Sequence, residues 1–237
     1  MTPSTSSSLT TFIPRPLVTL QKKELPAHIK GLSLVNLAAR QRMLSQRMIL
    51  QTLLASRGDA QKFEAAQRSL QIFSESQQHL LGTLQQLEKA AAEKIESTYH
   101  GPSGVGPVIT EFMQLMQRTL EQIKRQAPSV AESLIELVGL TDRILEALNT
   151  ATTAFDEVSK AKSEAMMKEL AGIVGDIQSV AKEAKVVSFN AQIMAARAGQ
   201  HGREFAVVAN VLSDITGEID GLTRKAAVLA DRNKLAA

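Results

Sequence analysis

The 237-residue sequence contains no cysteine, no tryptophan and a single tyrosine. Without cysteine the chain cannot form disulfides, thiolate metal sites or a thiol nucleophile. Aromatic residues make up only 3% of the chain, although 44% of it is hydrophobic. That balance is poor for a β-sandwich or an α/β enzyme core. It favours long helices packed through leucine, isoleucine, valine, methionine and alanine, so we expect an all-α fold.

Strong net charge and long apolar runs are also absent. The formal net charge is +3 and the basic residues are dispersed, which gives a nucleic-acid-binding function no electrostatic support. No stretch approaches the roughly 18 apolar residues of a membrane-spanning helix. The N-terminus lacks the basic and apolar segments of a secretory signal. We expect a cytoplasmic protein with no membrane span, in which residues 1–27 form a flexible N-terminal segment.

Side chains that could carry out chemistry are scattered along the chain. The four histidines stand alone in the sequence, and none has the spacing of a metal-ligand set. No glycine-rich motif ending in lysine and serine or threonine occurs, so a nucleotide site is unsupported. We expect neither a metal nor a cofactor, and we interpret the protein as a non-enzyme.

A helical pattern runs from about residue 26 to the end of the chain. Asp59 is a plausible N-cap, "YHGPSGVGP" is the clearest loop, and no strong breaker occurs between 130 and 197. The last of four predicted helices is therefore about 70 residues long, which suggests a coiled-coil extension. The predicted helices span residues 28–56, 59–97, 108–126 and about 130–197.

The sequence "AGQHG" at 198–202 marks a turn between two arms that carry apolar heptad seams. In each arm, apolar residues alternate in spacings of three and four. The incoming seam consists of Leu170, Ile173, Ile177, Val180, Ala184, Val187, Ala191, Met194 and Ala198. The outgoing seam consists of Phe205, Val208, Leu212, Ile215, Ile219, Leu222, Ala226 and Leu229. We expect an antiparallel coiled-coil hairpin in which these seams bring the arms together, most closely at the small residues beside the turn.

The residues around the turn, "NAQIMAARAGQHGREFAVVA" (190–209), resemble the cytoplasmic tip of bacterial methyl-accepting chemotaxis receptors. The family pattern is close to N-A-A-[IV]-E-A-A-R-A-G-E-x-G-R-G-F-A-V-V-A, and the resemblance covers roughly 170–225. It implies a signal-transduction role, with a tip that binds the histidine kinase CheA and the adaptor CheW. The positions that it assigns to the partner-binding tip are Val186, Phe189, Asn190, Arg197, Arg203, Phe205 and Val207. Phe205 is also explained by seam packing, and the two arginines by a solvated surface.

Several residues depart from that pattern. Lys182 stands where these receptors have the phenylalanine that packs trimers of dimers, and Met194 and Gln200 replace glutamates. A lysine in place of a buried phenylalanine removes apolar contact area and adds a charge that needs solvent. The standard trimer and standard kinase activation are therefore not expected to carry over.

A second motif, "NLAARQRMLSQRM" (36–48), resembles the helix-1 motif of PilJ-type sensor domains from type IV pilus chemoreceptors. Nitrate/nitrite sensor kinases of the NarX and NarQ kind carry a looser version. The resemblance covers roughly 29–155 and implies a four-helix bundle that dimerises through helix 1. Members that bind nitrate hold the anion between the two copies of this helix. Ala39 replaces the motif's glycine beside the anion, where its methyl group would weaken or block binding.

Helical spacing in this segment gives two stripes. Leu34, Leu37, Gln41, Leu44 and Met48 suit the bundle core, and a neighbouring stripe of Val35, Ala38, Arg42, Ser45, Ile49 and Thr52 suits a symmetry mate. Arg42 would then face its own copy, and a shared planar anion such as nitrate or nitrite would relieve the repulsion. Arg42 is the leading ligand. Arg40 and Arg47 are secondary candidates, with surface or ion-pair roles as the alternative.

These observations predict a flexible segment (1–27), a PilJ-type four-helix sensor bundle (28–155) and a chemoreceptor-like signalling hairpin (156–237). The expected function is that of a homodimeric, chemoreceptor-like protein. It would sense a small anion at helix 1 and relay the signal through the hairpin to CheA/CheW-type partners. The alternative is a ligand-free dimeric scaffold that docks in receptor arrays without standard kinase activation.

Overall fold

A computed structural model describes the backbone of residues 25–236 and the side chains of residues 25–229. Within that range there is no β-strand, and the all-α prediction is confirmed. Two short 3-10 segments, Leu84–Gln86 and Gly199–Gly202, lie between α-helices. The α-helices are α1 (Leu34–Ala55), α2 (Ala60–Gly82), α3 (Lys89–His100), α4 (Gly106–Lys124), α5 (Val130–Gly139), α6 (Thr141–Arg197) and α7 (Arg203–Ala236).

The chain divides by its contacts into a unit that ends at Gly31 and a second unit from Leu32 onward. In the described part of the first unit, the amides of Ile29 and Lys30 donate to the Pro26 carbonyl at 2.9 and 3.0 Å. The predicted flexible segment 1–27 lies almost entirely outside the described residues. In the second unit α1 starts at Leu34, later than predicted, because the Ser33 side chain caps the helix.

Two of the predicted helices are interrupted. The helix predicted over 59–97 does begin after Asp59, whose carboxylate accepts from the Lys62 amide at 3.0 Å, but it ends at Gly82. The helix predicted from about 130 is broken at Leu140, which follows Gly139. Glycine has low helix propensity, which accounts for a break near each of these positions. The hydrogen bonds from the Leu140 amide to Glu136 and from Ile144 to Leu140 persist on both sides of the second break.

The predicted glycine-rich loop lies between α3 and α4 and closes tightly on the end of α3. The Gly104 amide donates to Gly101, and the Val105 amide donates to the Thr98 carbonyl. A Cβ on Gly104 would stand only 2.4 Å from the Tyr99 carbonyl oxygen. These glycines are therefore required by the close approach of two backbone segments.

The principal core lies where α1, α2, α4 and the first part of α6 meet. Each of these helices contacts the next in the order α1, α2, α4, α6 and back to α1, and α1 also contacts α4. At its centre Phe73 and Phe112, both fully buried, meet edge to face with ring centroids 5.7 Å apart. The other large, fully buried side chains are Leu37, Met48, Leu80, Ile95, Tyr99, Met116, Leu137, Ile144, Leu148 and Phe155.

The second packing region is an antiparallel pair formed by α7 and the C-terminal part of α6, called here the α6–α7 pair. The Ser188 hydroxyl donates to the Ala209 carbonyl at 2.6 Å, and the Gln192 amide donates to Asn210 at 2.9 Å. Buried residues at this contact recur every seven positions and are small or medium in size. This small-residue heptad consists of Val174, Ala181, Ser188, Ala195, Gly202, Ala209, Thr216 and Thr223.

The apolar seams predicted to join the two arms do not do so. Ile173, Val187 and Leu222 are 50%, 60% and 64% exposed. That part of the prediction is wrong. The two helices contact each other along the small-residue heptad, which lies beside each seam, because small side chains allow a closer approach. Close approach at small residues beside the turn is present, since a Cβ on Gly202 would overlap the Ala195 carbonyl at 2.0 Å.

None of the helices in the described range is long and apolar enough to cross a membrane.

Candidate functional site

The outward side of α1 is one of the places in the described part of the chain where large apolar side chains are exposed. Met43 and Leu50 are 54% and 58% exposed, and Gln46 between them is also exposed. Ala39 lies one turn before Met43 and is half-buried. These four residues, called here the α1 face, have the 4-3-4 spacing of a helix contact surface.

The stripe of α1 predicted to face a symmetry mate is instead buried inside the chain. Ala38, Ser45, Ile49 and Thr52 are all below 8% exposed, and Thr52 reaches the Met116 sulfur at 4.0 Å. This prediction is wrong because α1 packs against α6 as well as α2, so both stripes are needed within one chain. The other stripe does lie in the core, with Leu37, Gln41, Leu44 and Met48 buried.

Arg42 lies at the edge of the α1 face rather than at the centre of an interface. Its guanidinium donates to the Asn149 side-chain oxygen of α6. Among the described residues no carboxylate pairs with Arg42. Asn149 is neutral, so the charge of Arg42 is not compensated by this contact, and its remaining N–H groups can reach an anion.

Arg47 and Arg40 flank the opposite edge of the α1 face. At 3.6 residues per turn, Arg42 lies about 100° to one side of Met43, and Arg40 about 60° to the other. Arg47 is exposed. When the Gln51 side-chain amide is oriented with its nitrogen toward Ser69 and Ala65, its oxygen accepts from Nε of Arg47 at 3.1 Å. The structure thus places arginines on both edges of one exposed helix face.

The predicted partner-binding residues all lie near the turn of the α6–α7 pair. Val186, Phe189 and Val207 are each about 60% exposed, at 61%, 62% and 63%. Asn190, Arg197 and Arg203 are exposed as well, and Phe205 is 72% exposed. These side chains are accessible to another molecule, and Phe205 is not held by packing between α6 and α7.

The seam residues form one surface of the α6–α7 pair. In α6 they fall one position before and three after each small contact residue, as Val187 and Ala191 do around Ser188. In α7 the offsets are the same, as for Val208 and Leu212 around Ala209. Equal offsets on two antiparallel helices put both seams on the same side. We call this surface the apolar face, and it consists of the exposed seam residues of both helices.

Val186, Phe189 and Val207 lie on the other side of the pair, together with Ile193, which is 39% exposed. These four residues are called here the tip patch. Val186 and Val187 are adjacent in sequence and almost equally exposed, yet helical geometry directs them about 100° apart, to the tip patch and the apolar face.

Two features of these surfaces are not predicted by the sequence motifs. The contact between Arg42 and Asn149 joins positions 107 apart in sequence, and no local pattern indicates it. The small-residue heptad does have a readable signal, because its seven-residue repeat runs through both arms and the turn. No group of three or more histidine, aspartate or glutamate side chains suited to a metal ion occurs among the described residues.

Compared with protein-family models, curated proteins and solved structures, the chain matches none of them.

Proposed function

We propose that the protein is a cytoplasmic, homodimeric, chemoreceptor-like signal-transduction protein. A four-helix sensor bundle (28–155) senses a small anion of the nitrate or nitrite class. A coiled-coil hairpin (156–237) relays the signal to CheA/CheW-type partners. The resemblances of the segments 36–48 and 190–209 motivate this assignment, and the exposed surfaces of the structure supply its physical basis.

The observation that carries the proposal is that one helix joins the two regions. Asn149, the partner of Arg42, belongs to α6, and α6 continues without a break to Arg197 at the tip. The distance along the helix is about 70 Å at 1.5 Å per residue. An anion that draws Arg42 away from Asn149 changes a contact of the helix that ends at the tip, which gives ligand and tip a shared structural element.

The exposed apolar residues support a dimer. An apolar surface that extends along two helices is unusual for a monomeric protein and marks a site of association. A second copy would cover the apolar face and the α1 face in a parallel arrangement. In such a dimer the Arg42 edge of one α1 meets the Arg47 edge of the other. The arginines repel unless an anion lies between them, which is how the proposed ligand would bias the packing.

The tip patch supports the partner assignment, because its apolar side chains stay exposed when a second copy covers the apolar face. Its residues are apolar and lie on both helices of the tip. Lys182 is exposed, one heptad before Phe189. This charge disfavours a second apolar association beside the patch, so we propose docking of an adaptor rather than trimer formation.

Thermal unfolding of the full chain with nitrate, nitrite or chloride tests the proposal. Nitrate or nitrite at about 100 times its dissociation constant should add roughly 2.7 kcal/mol to the free energy of unfolding. Arg42→Ala should abolish the shift. Asn149→Asp should also abolish it, because the new carboxylate pairs with Arg42 in place of the anion. Arg68→Ala is the matched control, since Arg68 pairs with Glu64 on the surface of α2.

The second candidate is a ligand-free dimeric scaffold that docks in receptor arrays. The Ala39 methyl group within the α1 face and the existing contact of Arg42 with Asn149 favour it. This candidate predicts adaptor binding that nitrate and Arg42→Ala both leave unchanged. An unfolding midpoint that responds equally to nitrate and chloride, together with adaptor binding, would select it over the sensor.

A further inference from the structure

A cavity of about 610 Å³ lies between α2 and α4, where the α3–α4 loop closes one end. It is separate from the arginines of α1, none of which lines it. Its apolar lining includes Leu81, Ile109 and Met113, and its polar lining includes Gln77, Tyr99 and His100. The volume falls in the range of small-molecule sites in proteins, which also combine an apolar wall with a few polar groups.

Gln77 is the unusual polar group of this cavity, because it is 95% buried (5% exposed) and only half satisfied. Its side-chain oxygen accepts from the Tyr99 hydroxyl at 3.3 Å. Its side-chain nitrogen has no hydrogen-bond partner among the described residues. A buried donor without an acceptor costs free energy, and native proteins rarely leave one in that state without a reason.

The N-terminus of α4 supplies one more donor at the same place, the Gly106 amide, because Pro107 after it has no N–H. Gly106, the first residue of this 19-residue helix, lines the cavity. The residue before it is Val105, so no side chain caps the helix. The first-turn amides of a helix have no intrahelical acceptor, and the helix dipole favours negative charge there. Gly106 also lies near His100, since a Cβ on Gly106 would stand 3.7 Å from Nδ1 of that ring.

We propose that this cavity binds a small carboxylic acid with an apolar body. Once the Gln77 side-chain nitrogen, which the protein covers in this conformation, turns toward the cavity, the carboxylate would accept from it and from the Gly106 amide, and the body would lie against Leu81, Ile109 and Met113. Glu111 is the acidic residue in the lining, and Arg143 neutralises it at 3.2 Å. The site is independent of the anion proposed at α1, because a flat nitrate would leave the apolar wall uncovered.

Calorimetric titration of the full chain with benzoate, and with benzamide as its uncharged counterpart of equal size, tests this site. Benzoate should bind and raise the unfolding temperature, and benzamide should bind at least tenfold more weakly. Gln77→Leu should weaken benzoate about tenfold or more, the effect of losing a hydrogen bond to a charged group. Gln61→Leu, an exposed glutamine of α2 outside the cavity, should have no effect.

A second variant avoids the core in case Gln77→Leu does not fold. Thr110 is exposed on α4 and lines the cavity, so Thr110→Glu adds a negative charge at its mouth. This change should weaken benzoate severalfold, while Gln61→Glu, which adds the same charge on α2 outside the cavity, leaves it unchanged. Arg42→Ala should not alter benzoate binding, which separates this site from the nitrate proposal. Absence of benzoate binding, equal binding of benzamide, or insensitivity to both Gln77→Leu and Thr110→Glu overturns the inference.

Discussion

Tyr99 is the single tyrosine of the chain, and it is nearly inaccessible to water. Burial raises the pKa of its hydroxyl to about 12. The ordinary pKa of a tyrosine hydroxyl is 10.0. The folded protein therefore binds the phenolic proton more tightly than the unfolded chain does. The resulting stabilisation is fully present below about pH 10 and is lost as the pH rises toward 12.

We predict that wild type loses up to about 2–3 kcal/mol of stability between pH 10 and 12 relative to Tyr99→Phe, in denaturant titrations. The variant lacks the ionising group, so the difference isolates Tyr99 from the lysines that titrate in the same range. Ultraviolet absorbance of tyrosinate gives a direct check, because no other tyrosine or tryptophan contributes. A folded-state midpoint near 10 would show that the hydroxyl is hydrated.

Gly104 stands at a position where the structure leaves no space for a Cβ. A Cβ there would meet the Tyr99 carbonyl oxygen at 2.4 Å and the Gly101 carbonyl oxygen at 2.9 Å, and both are backbone atoms. Gly104→Ala should therefore destabilise the protein by about 1–3 kcal/mol in chemical unfolding. Gly139→Ala is the control, since nothing lies within 4 Å of its added Cβ, and it should stabilise by up to about 1 kcal/mol. Equal effects of the two changes would contradict this account.

At the scale of helices, the α6–α7 pair depends on small side chains rather than on large apolar ones. Ala195 is 5% exposed at the contact, whereas Met194 beside it is 72% exposed. The large residues are therefore left on the outside, and the closeness of the pair is set by residues that contribute little apolar area of their own. The pair should accordingly be more sensitive to added volume than to lost hydrophobicity.

Ala195→Leu should loosen the α6–α7 pair, because Ala195 is only 5% exposed at the contact between the two helices and the added carbons have no space there. Overpacking of this kind costs about 1–3 kcal/mol. Hydrogen exchange should show lower protection in α7, with the amides of α1 and α2 unaffected. Met194→Leu, one residue away on the exposed side, should leave α7 protection as in wild type. Unchanged protection in Ala195→Leu would mean that the two helices are not held at this residue.

The elements differ in how far the sequence predicts them. The Asp59 cap, the glycine-rich loop and the core stripe of α1 follow from local patterns, and all three occur. Heptad spacing identifies an apolar face but does not say what covers it, so the seams and the second α1 stripe were assigned to wrong partners. The pairing of Arg42 with Asn149 depends on how α1 packs on α6. Such features arise from tertiary packing and leave no local signal.

For the whole molecule, the two sides of the α6–α7 pair suggest two different roles. The apolar face extends along both helices and includes residues as exposed as Leu222 and Phe205, at 64% and 72%. The tip patch is short and confined to the turn end of the pair. A long face suits a second copy of the same pair, and a short patch suits a compact partner. If this division is right, the two associations can be disrupted separately.

Val187→Glu and Val186→Glu test whether the two associations can be disrupted separately. The two variants introduce the same side chain at adjacent positions that are almost equally exposed. Val187 lies on the apolar face, so its change should weaken self-association. Each copy loses the burial of a valine, about 1.5–3 kcal/mol, and gains a charge at the interface. The dissociation constant of the proposed dimer should rise at least 100-fold, as measured by sedimentation equilibrium. Val186→Glu should leave the dimer intact and reduce capture of a CheW-type adaptor. If both variants change the same association, the pair has a single functional surface, and the roles assigned to its two sides are wrong.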